Sequence, residues 1–327
     1  MIPAIYFNYR KIIKEKTVMK KIFIDGRAGT TGLRIYERLA TRQGIELLTL
    51  SEEDRKNTEK RREMLNHCDI AFLCLPDDAA RESVSLIENP DVAVLDTSTA
   101  HRTLDGWTYG FPELEKSFEE KVRNSKFIAV PGCHASGFIA LVRPLLKAGL
   151  LTSDVRLTCH SITGYSGGGK KMIGQYEESG RDLLLDAPRQ YGLTQQHKHL
   201  KEMVKISGLD MAPVFCPVVS DFYSGMEVTV PLFRQDLQNG NVADIRHIYR
   251  ELYTGPIVKY AENVAEEGFL SANAFSGKDT MQITVEGNED RILLIARYDN
   301  LGKGASGAAL ECMNLVMGVD ATEGLSV

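Results

Sequence analysis

A cysteine at the predicted start of a helix is the strongest candidate for chemistry. The segment Val130-Pro131-Gly132-Cys133 contains a Pro-Gly turn, and apolar residues follow it at helical spacing up to residue 146. Pro144 is expected to kink this helix. Cys133 would then lie at a helix N-terminus, where the dipole and free N–H groups lower the pKa of a thiol and favour thiolate. The same N–H groups could hold a developing oxyanion, so Cys133 is a candidate nucleophile.

Histidine is the natural proton-transfer partner for such a thiol near neutral pH. His197 and His199 stand close together in the segment 195–202, and either could act. Two histidines at this spacing could also bind a metal, but no other cluster of His, Cys or Asp completes a ligand set, so no metal site is predicted. The five other cysteines lie in apolar runs or helices and are interpreted as structural.

A glycine-rich loop near the start of the chain indicates a nucleotide site. A short apolar strand (21–25) precedes it and a helix follows, which places the loop amides at a helix N-terminus, ready for a pyrophosphate. The spacing G-x-x-G-x-x-G differs from G-x-G-x-x-G, so the flanking strand and helix carry the interpretation. The residues expected to contact the cofactor here are Gly26, Arg27, Gly29, Thr30, Thr31 and Gly32.

The end of the second strand favours NADP over NAD. Ser51 stands where a carboxylate would bind a ribose 2′-hydroxyl, and Arg55 and Lys56 follow closely. A hydroxyl with nearby cations suits a 2′-phosphate. Arg27 could add to that charge.

The order of predicted elements indicates two domains. Short strands at 45–50, 69–76 and 92–96 alternate with helices, which predicts a parallel sheet of the Rossmann type. From residue 155 longer strands dominate, which indicates an α+β domain; they are predicted at 155–162, 226–233, 281–286 and 291–298, the last two forming a hairpin around Asn288. A final helix is predicted at 305–317.

The expected organisation is therefore α/β, with a dinucleotide-binding domain followed by a catalytic one. The first domain spans 19–132 and is completed by the C-terminal helix (300–320), and the second spans 133–299. Because the fold pattern begins at Met19-Lys20-Lys21, residues 1–18 are interpreted as an arm or an alternative start.

Composition excludes several classes of protein. The 327 residues carry a net charge of −5, which argues against binding nucleic acid through bulk positive charge. No run of 18 apolar residues exists, so no membrane span is predicted. The six cysteines form no C-x-x-C pair, and the N-terminus lacks the features of a signal peptide, so a reducing cytoplasm is expected.

Taken together, these motifs resemble the N-acetyl-gamma-glutamyl-phosphate reductase family, in its shorter branch. The motifs that carry the resemblance are Gly26 to Gly32, Asp96-Thr97-Ser98-Thr99-Ala100-His101-Arg102, Tyr109-Gly110-Phe111-Pro112-Glu113, Val130-Pro131-Gly132-Cys133, His197-Lys198-His199 and Asp299 to Gly307. Two segments depart from the family pattern: Gly167-Gly168-Gly169-Lys170, and Ala309-Leu310-Glu311-Cys312.

The resemblance implies an NADP-dependent, aldehyde-forming oxidoreductase of arginine biosynthesis. Its substrate would be N-acetyl-L-glutamyl 5-phosphate, reduced by NADPH to the 5-semialdehyde and phosphate through a thioester on Cys133. The family motif resembles His-x-x-Glu, which is met from His199 to Glu202, so His199 is preferred to His197 for proton transfer. The family also suggests a homodimer or homotetramer.

Because the substrate is anionic and the chain is net acidic, local cations must bind it; Arg102, Lys170 and Lys171 are the candidates. One alternative keeps the mechanism and changes the substrate, as in an aspartate-semialdehyde dehydrogenase or an N-acetyl-aminoadipyl counterpart. The other is a catalytically silent NADP sensor. Cys133 and His199 count against the sensor, which would need neither.

Overall fold

The computed structural model describes residues 19–327, so the expected N-terminal arm (1–18) lies outside the described residues. Two sheets organise this part of the chain, which confirms the predicted α/β fold class. The first sheet has six strands in the order β2-β1-β3-β4-β6-β5, and all of its pairings are parallel. Its strands are β1 (Lys20–Asp25), β2 (Ile45–Leu48), β3 (Ile70–Leu73), β4 (Ala93–Asp96), β5 (Thr108–Tyr109) and β6 (Phe127–Ala129).

Helices connect these parallel strands: α1 (Thr30–Leu39), α2 (Thr58–His67), α3 (Asp77–Ser85) and α4 (Lys116–Asn124). Parallel strands buried on both faces need near-continuous apolar sequence. Ile70–Leu73 and Ala93–Asp96 are accordingly buried at every position. Sequence reasoning missed α2, because its composition is strongly polar; an Asn57 side chain that accepts hydrogen bonds from two backbone amides caps its N-terminus.

The second sheet has seven strands in the order β11-β12-β13-β10-β7-β9-β8, with mixed directions. Its strands are β7 (Thr158–Gly164), β8 (Arg189–Gln190), β9 (Val214–Ser220), β10 (Met226–Phe233), β11 (Val258–Tyr260), β12 (Met281–Gly287) and β13 (Arg291–Tyr298). The predicted hairpin around Asn288 is present, and its side chain accepts hydrogen bonds from the amides of Asp290 and Arg291. The strand predicted from residue 155 begins only at Thr158.

Among residues 19–327, one face of this second sheet packs on helices and the other has no such helical layer. The helices of this part of the chain are α5 (Cys133–Lys147), α6 (Gly169–Glu177), α7 (His199–Ser207) and α8 (Val242–Leu252). Helix α5 contacts β10 and β13, and α8 contacts β12. The opposite side, which we call the open face, carries His160, Ile162, Cys216, Thr229, Pro231 and Leu293, all half-buried or exposed, while Ile295 and Arg297 on the same face are buried.

Helix α5 continues through Pro144, which has no N–H to donate to the carbonyl of Ala140. The Tyr253 hydroxyl donates a hydrogen bond to that carbonyl instead, at 2.7 Å. The Tyr249 hydroxyl donates to the neighbouring carbonyl of Leu141. Both tyrosines are almost fully buried, so these bonds satisfy acceptors that water does not reach.

The last helix, α9 (Gly307–Met317), packs in the core of the first sheet together with Ile22, Ile24 and Leu95. It is preceded by a π-helical turn at Gly302–Ser306, where the sequence predicted the start of an ordinary helix. This turn lies directly beside the first residue of α5, because Gly304 faces Cys133.

Candidate active site

A cavity of about 570 Å³ is lined by residues of both domains. The first domain contributes the glycine loop and the segments that follow β3, β4 and β6. The second contributes the start of α5, the end of β7 and the segment 197–199, and part of the π-helical turn completes the lining. Ligands of open parallel sheets bind outside the carboxyl ends of the strands, and this cavity lies there.

At two positions of the glycine loop there is no room for a side chain. Gly26 has a φ of +89°, and a Cβ added to it would stand 2.2 Å from the carbonyl oxygen of Cys74. A Cβ on Gly32 would stand 2.6 Å from the carbonyl oxygen of Gly26. Gly29 is the N-cap of α1, which begins at Thr30. The loop therefore brings bare backbone and a helix N-terminus to the cavity wall, as a pyrophosphate requires.

A second cavity, of about 410 Å³, lies on the other side of the glycine loop and is lined by Arg27, Tyr36, Arg55, Lys56 and Arg61. Three of these cations follow β2, where the 2′-phosphate was expected. The guanidinium of Arg27 lies 4.7 Å from the ring centre of Tyr36. These residues fit the adenosine half of a dinucleotide that carries an additional phosphate.

Two residues near this second cavity differ from the sequence prediction. Ser51 does not line it; its hydroxyl donates to the carboxylate of Asp54 and accepts from the Asp54 amide, both at 3.1 Å. Arg61 was not predicted. It is buried and binds Asp25 at the end of β1 at 3.1 Å, a partner 36 positions away that no local pattern indicates.

The turn that carries Cys133 is held by a buried carboxylate. Glu202, on α7, is 2% exposed. It accepts hydrogen bonds from the amide of Gly132 at 2.8 Å, from the hydroxyl of Tyr109 at 2.8 Å and from the guanidinium of Arg102 at 3.0 Å. Sequence reasoning noted Glu202 only as part of a motif. Because Glu202 is buried, its hydrogen bonds hold this turn in place.

Arg102 lines the cavity, but most of its hydrogen-bonding capacity serves the protein. Besides Glu202, it donates to the carbonyls of Val130 and Thr97, each at 2.8 Å. Three of its five N–H donors are thereby used and two remain. A Cβ on Gly132 would stand 2.4 Å from its Nη1 and 2.6 Å from Nε2 of His199, so glycine is required where these side chains converge.

The structure does not place Lys170 and Lys171 in the cavity wall. Both lie in the first turn of α6 with exposed side chains, while their neighbours Gly169 and Met172 line the cavity. The helical turn directs these two lysines away from it. Lys198, which sequence reasoning quoted only within a motif, lines the cavity instead.

Cys133 is the first residue of α5, as predicted, but its surroundings shift the pKa of the thiol upward and not downward as the helix N-terminus alone would. Burial raises the pKa of the Cys133 thiol. The charges of Arg102 and Lys198 and the amide of His134 act in the opposite direction and do not outweigh burial. Desolvation disfavours the charged form, so the resting group is a thiol that needs a base.

A group of three histidines lines the same cavity as this thiol. The ring centres of His197 and His199 are 4.8 Å apart, and those of His134 and His199 are 5.6 Å apart. Burial and neighbouring positive charges lower the pKa of His199 well below its usual value, so its imidazole is neutral at pH 7. Within the described residues, the buried Nδ1 of His199 has no hydrogen-bond partner. Neutral His199, against the Cys133 turn, can accept a proton.

Two further residues organise the same helix turn. His134 is within 2.6 Å of both the Ser161 hydroxyl and the Tyr191 hydroxyl. The hydroxyl of Tyr298 accepts from the amide of Gly137 at 3.0 Å and donates to the carbonyl of Cys133 at 2.5 Å. These contacts join the start of α5 to β7 and β13, and no local pattern in the sequence indicates them.

Across residues 19–327 no group of three potential metal ligands converges, and no helix is long and apolar enough to cross a membrane.

Comparisons with known proteins identify the family. A model of the semialdehyde dehydrogenase NAD binding domain matches residues 21–122, and one of the semialdehyde dehydrogenase dimerisation domain matches residues 133–300. N-acetyl-gamma-glutamyl-phosphate reductase 2 of a Nostoc species is 45% identical over 93% of this chain and 99% of its own. The chain belongs to the N-acetyl-gamma-glutamyl-phosphate reductase family.

A further relative agrees with this membership, and solved structures share the fold. The N-acetyl-gamma-glutamyl-phosphate reductase of Sinorhizobium medicae is 46% identical over 91% of this chain and 98% of its own. The fold is shared with aspartate semialdehyde dehydrogenase II of Vibrio cholerae, at a TM-score of 0.67 and 15% identity, covering 91% of this chain and 98% of that one. It is also shared with the Candida albicans enzyme solved with NADP, at 0.60 and 16% identity, covering 91% and 98%. At these identities the solved structures establish the fold alone.

The histidines make stability depend on pH. Burial, followed by the charges of His197 and Lys198, lowers the pKa of His134 to about 3. An unfolded histidine titrates near 6.5, so between these values the unfolded chain binds a proton that the folded one does not. The reductase should therefore lose stability as pH falls from 6.5, by about 1 kcal/mol per pH unit for this histidine.

This is measured as the free energy of unfolding in urea at pH 7, 6 and 5, for the unmodified protein and His134→Gln. The variant should show the shallower loss between pH 6 and 5. The exposed His67 provides the matched control, because His67→Gln should keep the full slope. Equal slopes for His134→Gln and the unmodified protein would contradict the prediction.

Proposed function

We propose that the protein reduces N-acetyl-L-glutamyl 5-phosphate with NADPH to N-acetyl-L-glutamate 5-semialdehyde and phosphate, a step of arginine biosynthesis. The observation that carries the proposal is the position of Cys133. It lies at a helix N-terminus, beside a neutral histidine, in a cavity that the glycine loop also lines. Relatives 44–46% identical to this chain are named for the same substrate.

The residues of the first domain fit NADPH. The glycine loop and the N-terminus of α1 would hold the pyrophosphate, and Arg27, Arg55, Lys56 and Arg61 surround the cavity suited to the phosphorylated adenosine half. When bound, this cofactor supplies the hydride that reduces the acyl carbon.

The chain's own residues perform the acyl transfer. His199 accepts the proton of the half-buried Cys133 thiol as its sulfur attacks the acyl carbon. The tetrahedral adduct then breaks its bond to the phosphate oxygen, so that phosphate leaves and the thioester forms. The N–H groups of the first turn of α5 face the developing oxyanion. After reduction the same histidine returns a proton as the carbon–sulfur bond breaks. The amide of Gly132 takes no part, because Glu202 already holds it.

Cations of the cavity bind the anionic substrate. Arg102 retains two free N–H donors beside the Cys133 turn, and Lys198 places an ammonium at the cavity rim. Arg102 therefore serves two roles, since it positions the turn and faces the phosphate. Lys170 and Lys171, exposed on α6, are left out of the proposed site.

The function is tested by following phosphate-dependent reduction of NADP⁺ with N-acetylglutamate 5-semialdehyde. Cys133→Ser should abolish turnover, because a serine hydroxyl is not ionised near pH 7 and leaves poorly from the reduced adduct. His199→Asn should slow turnover by about two to four orders of magnitude. Both variants should still bind NADPH, measured by fluorescence titration.

Cys68→Ser is the matched control, because this cysteine is buried in another core and should leave turnover unchanged. Retention of more than a few per cent of turnover by Cys133→Ser would contradict covalent catalysis. Assaying aspartate semialdehyde in parallel separates the proposed substrate from that of the related reductases. An unmodified protein that binds NADPH and turns over neither aldehyde would favour the sensor.

We further propose that the enzyme prefers NADPH to NADH through Arg55. Its guanidinium lines the second cavity and is paired on the surface with Glu52 at 3.0 Å. Arg55→Ala should raise the KM for NADPH about tenfold, because a tenfold loss of affinity is the usual effect of removing one charge-assisted hydrogen bond. The KM for NADH should stay nearly unchanged. Arg62→Ala, which removes an arginine that does not line this cavity, should change neither KM. Equal efficiency of the unmodified enzyme with both cofactors would refute the preference.

We propose that a second copy of the chain covers the open face. Ile162 and Leu293 are each 37% exposed there although they lie on central strands of the sheet. Apolar side chains on a sheet face without a covering layer are typical of an interface. The family model that matches this domain is named for dimerisation.

Sedimentation equilibrium tests this assembly. The unmodified protein should sediment with at least the mass of a dimer at micromolar concentration. Leu293→Asp, which would bury an unpaired charge in the interface, should weaken association at least tenfold. Leu104→Asp, at a leucine of the first domain that is 50% exposed, should not. A monomeric unmodified protein would disprove the proposal.

We place the enzyme in the cytoplasm. All six cysteines are free, and the proposed mechanism requires Cys133 to be reduced.

A further inference from the structure

A buried cluster of three charged residues lies behind the nucleophile, and the mechanism above does not use it. Lys303 is 2% exposed. Its ammonium lies 2.7 Å from both carboxylate oxygens of Glu113 and 2.5 Å from Glu311. It also lies 4.7 Å from the ring centre of Phe111.

The cluster has no net charge when one of its two carboxyl groups is protonated. Burial, together with the negative charge of Glu113, raises the pKa of Glu311 well above its usual range. Although burial opposes it, the charge of Glu113 and the hydrogen bonds to both carboxyl groups raise the pKa of Lys303. The neutral arrangement is therefore a Lys303 ammonium, a Glu113 carboxylate and a protonated Glu311.

Stability alone does not explain such a cluster. Buried ion pairs can often be replaced by apolar residues without loss of stability, because desolvation offsets most of the attraction. Hydrogen bonds to fixed charged groups do, however, define geometry. The position of the cluster therefore indicates which segments it holds in place.

The cluster joins the two segments that contact the Cys133 turn. Lys303 belongs to the π-helical turn at Gly302–Ser306, and a Cβ on Gly304 would stand 3.1 Å from Cβ of Cys133. Glu113 lies in the segment that begins at Tyr109, whose hydroxyl donates to Glu202. The π-helical turn therefore lies beside Cys133. The segment from Tyr109 to Glu113 supports Glu202, the carboxylate that holds the Cys133 turn.

We propose that Lys303 is a positioning residue for Cys133: held by Glu113 and Glu311, it fixes the π-helical turn against the nucleophile and sets the orientation of the thiol. This inference rests on the proposed role of Cys133. It assigns Lys303 to the chemical step and not to the binding of NADPH, because Lys303 lines neither cavity.

The test uses a double variant that keeps the cluster neutral. Lys303→Met/Glu113→Gln removes the ammonium and the carboxylate together and leaves Glu311 protonated, so no unpaired charge is buried. We expect it to fold, by circular dichroism and melting temperature. Its kcat should fall about ten- to hundred-fold, the loss typical of a misplaced reacting group, with the KM for NADPH within threefold of the unmodified value.

The decisive measurement is the rate at which iodoacetamide alkylates Cys133 as a function of pH, followed by mass spectrometry of its peptide. This rate reports the environment of the thiol without any substrate. The double variant should change it at least threefold or shift its pH profile. The matched control is Lys60→Met/Glu63→Gln, which removes an exposed ion pair on α2 and should change neither quantity.

Glu113→Gln serves as a second variant if the double variant fails to fold. It leaves Lys303 to pair with Glu311, which then ionises, and should lower kcat by about three- to tenfold. A folded variant with alkylation and kcat within twofold of the unmodified protein would overturn the inference. If the unmodified protein lacks reductase activity while the alkylation rate responds to the variants, the proposed function fails and the positioning role stands.

Discussion

The hydrogen bonds to the Glu202 carboxylate are the constraint on which the active site depends. The carboxylate lies on α7, and its donors come from the turn before α5 and from two segments of the first domain. A carboxylate that is 2% exposed is costly to bury, and its three donors compensate for the lost water. The same bonds fix Gly132, and with it the residue that follows. Removing any one donor would leave a buried acceptor short of a partner, so the site is rigid at the point where covalent chemistry requires it.

The state of the Cys133 thiol follows from a competition between burial and local charge. A helix N-terminus and two cations favour thiolate, but the buried surroundings favour the neutral group more strongly. The same burial keeps the nearby imidazoles uncharged. A neutral thiol beside a neutral base is less reactive toward adventitious electrophiles than a preformed thiolate. It still becomes nucleophilic when proton transfer is coupled to attack on the substrate.

Sequence reasoning succeeded where the signal is local. The glycine loop, the alternation of strands and helices, and Cys133 at the start of α5 all follow from patterns within a few residues. It failed where the answer depends on tertiary burial. The pKa of Cys133 and the role of Arg61 are examples, because each is set by residues distant in the chain.

The lysines also show that a local sequence pattern does not predict where a side chain points. Lys170 and Lys171 follow a glycine run that suggested an anion site, yet one helical turn decides which side chains reach the cavity. Lys303 lies in a similar glycine-rich run and is instead deeply buried. Composition cannot separate these cases, because the difference is the direction of the side chain.

The proline in α5 has a consequence for how the protein opens. The carbonyl of Ala140 obtains its donor from Tyr253 at the end of α8, so the helix cannot complete its hydrogen bonding alone. If α8 undocks, this buried acceptor in the middle of α5 loses its partner, which makes opening at this point unfavourable. The two helices thus form one cooperative unit, and the nucleophile at its start is protected from local unfolding as long as that unit is intact.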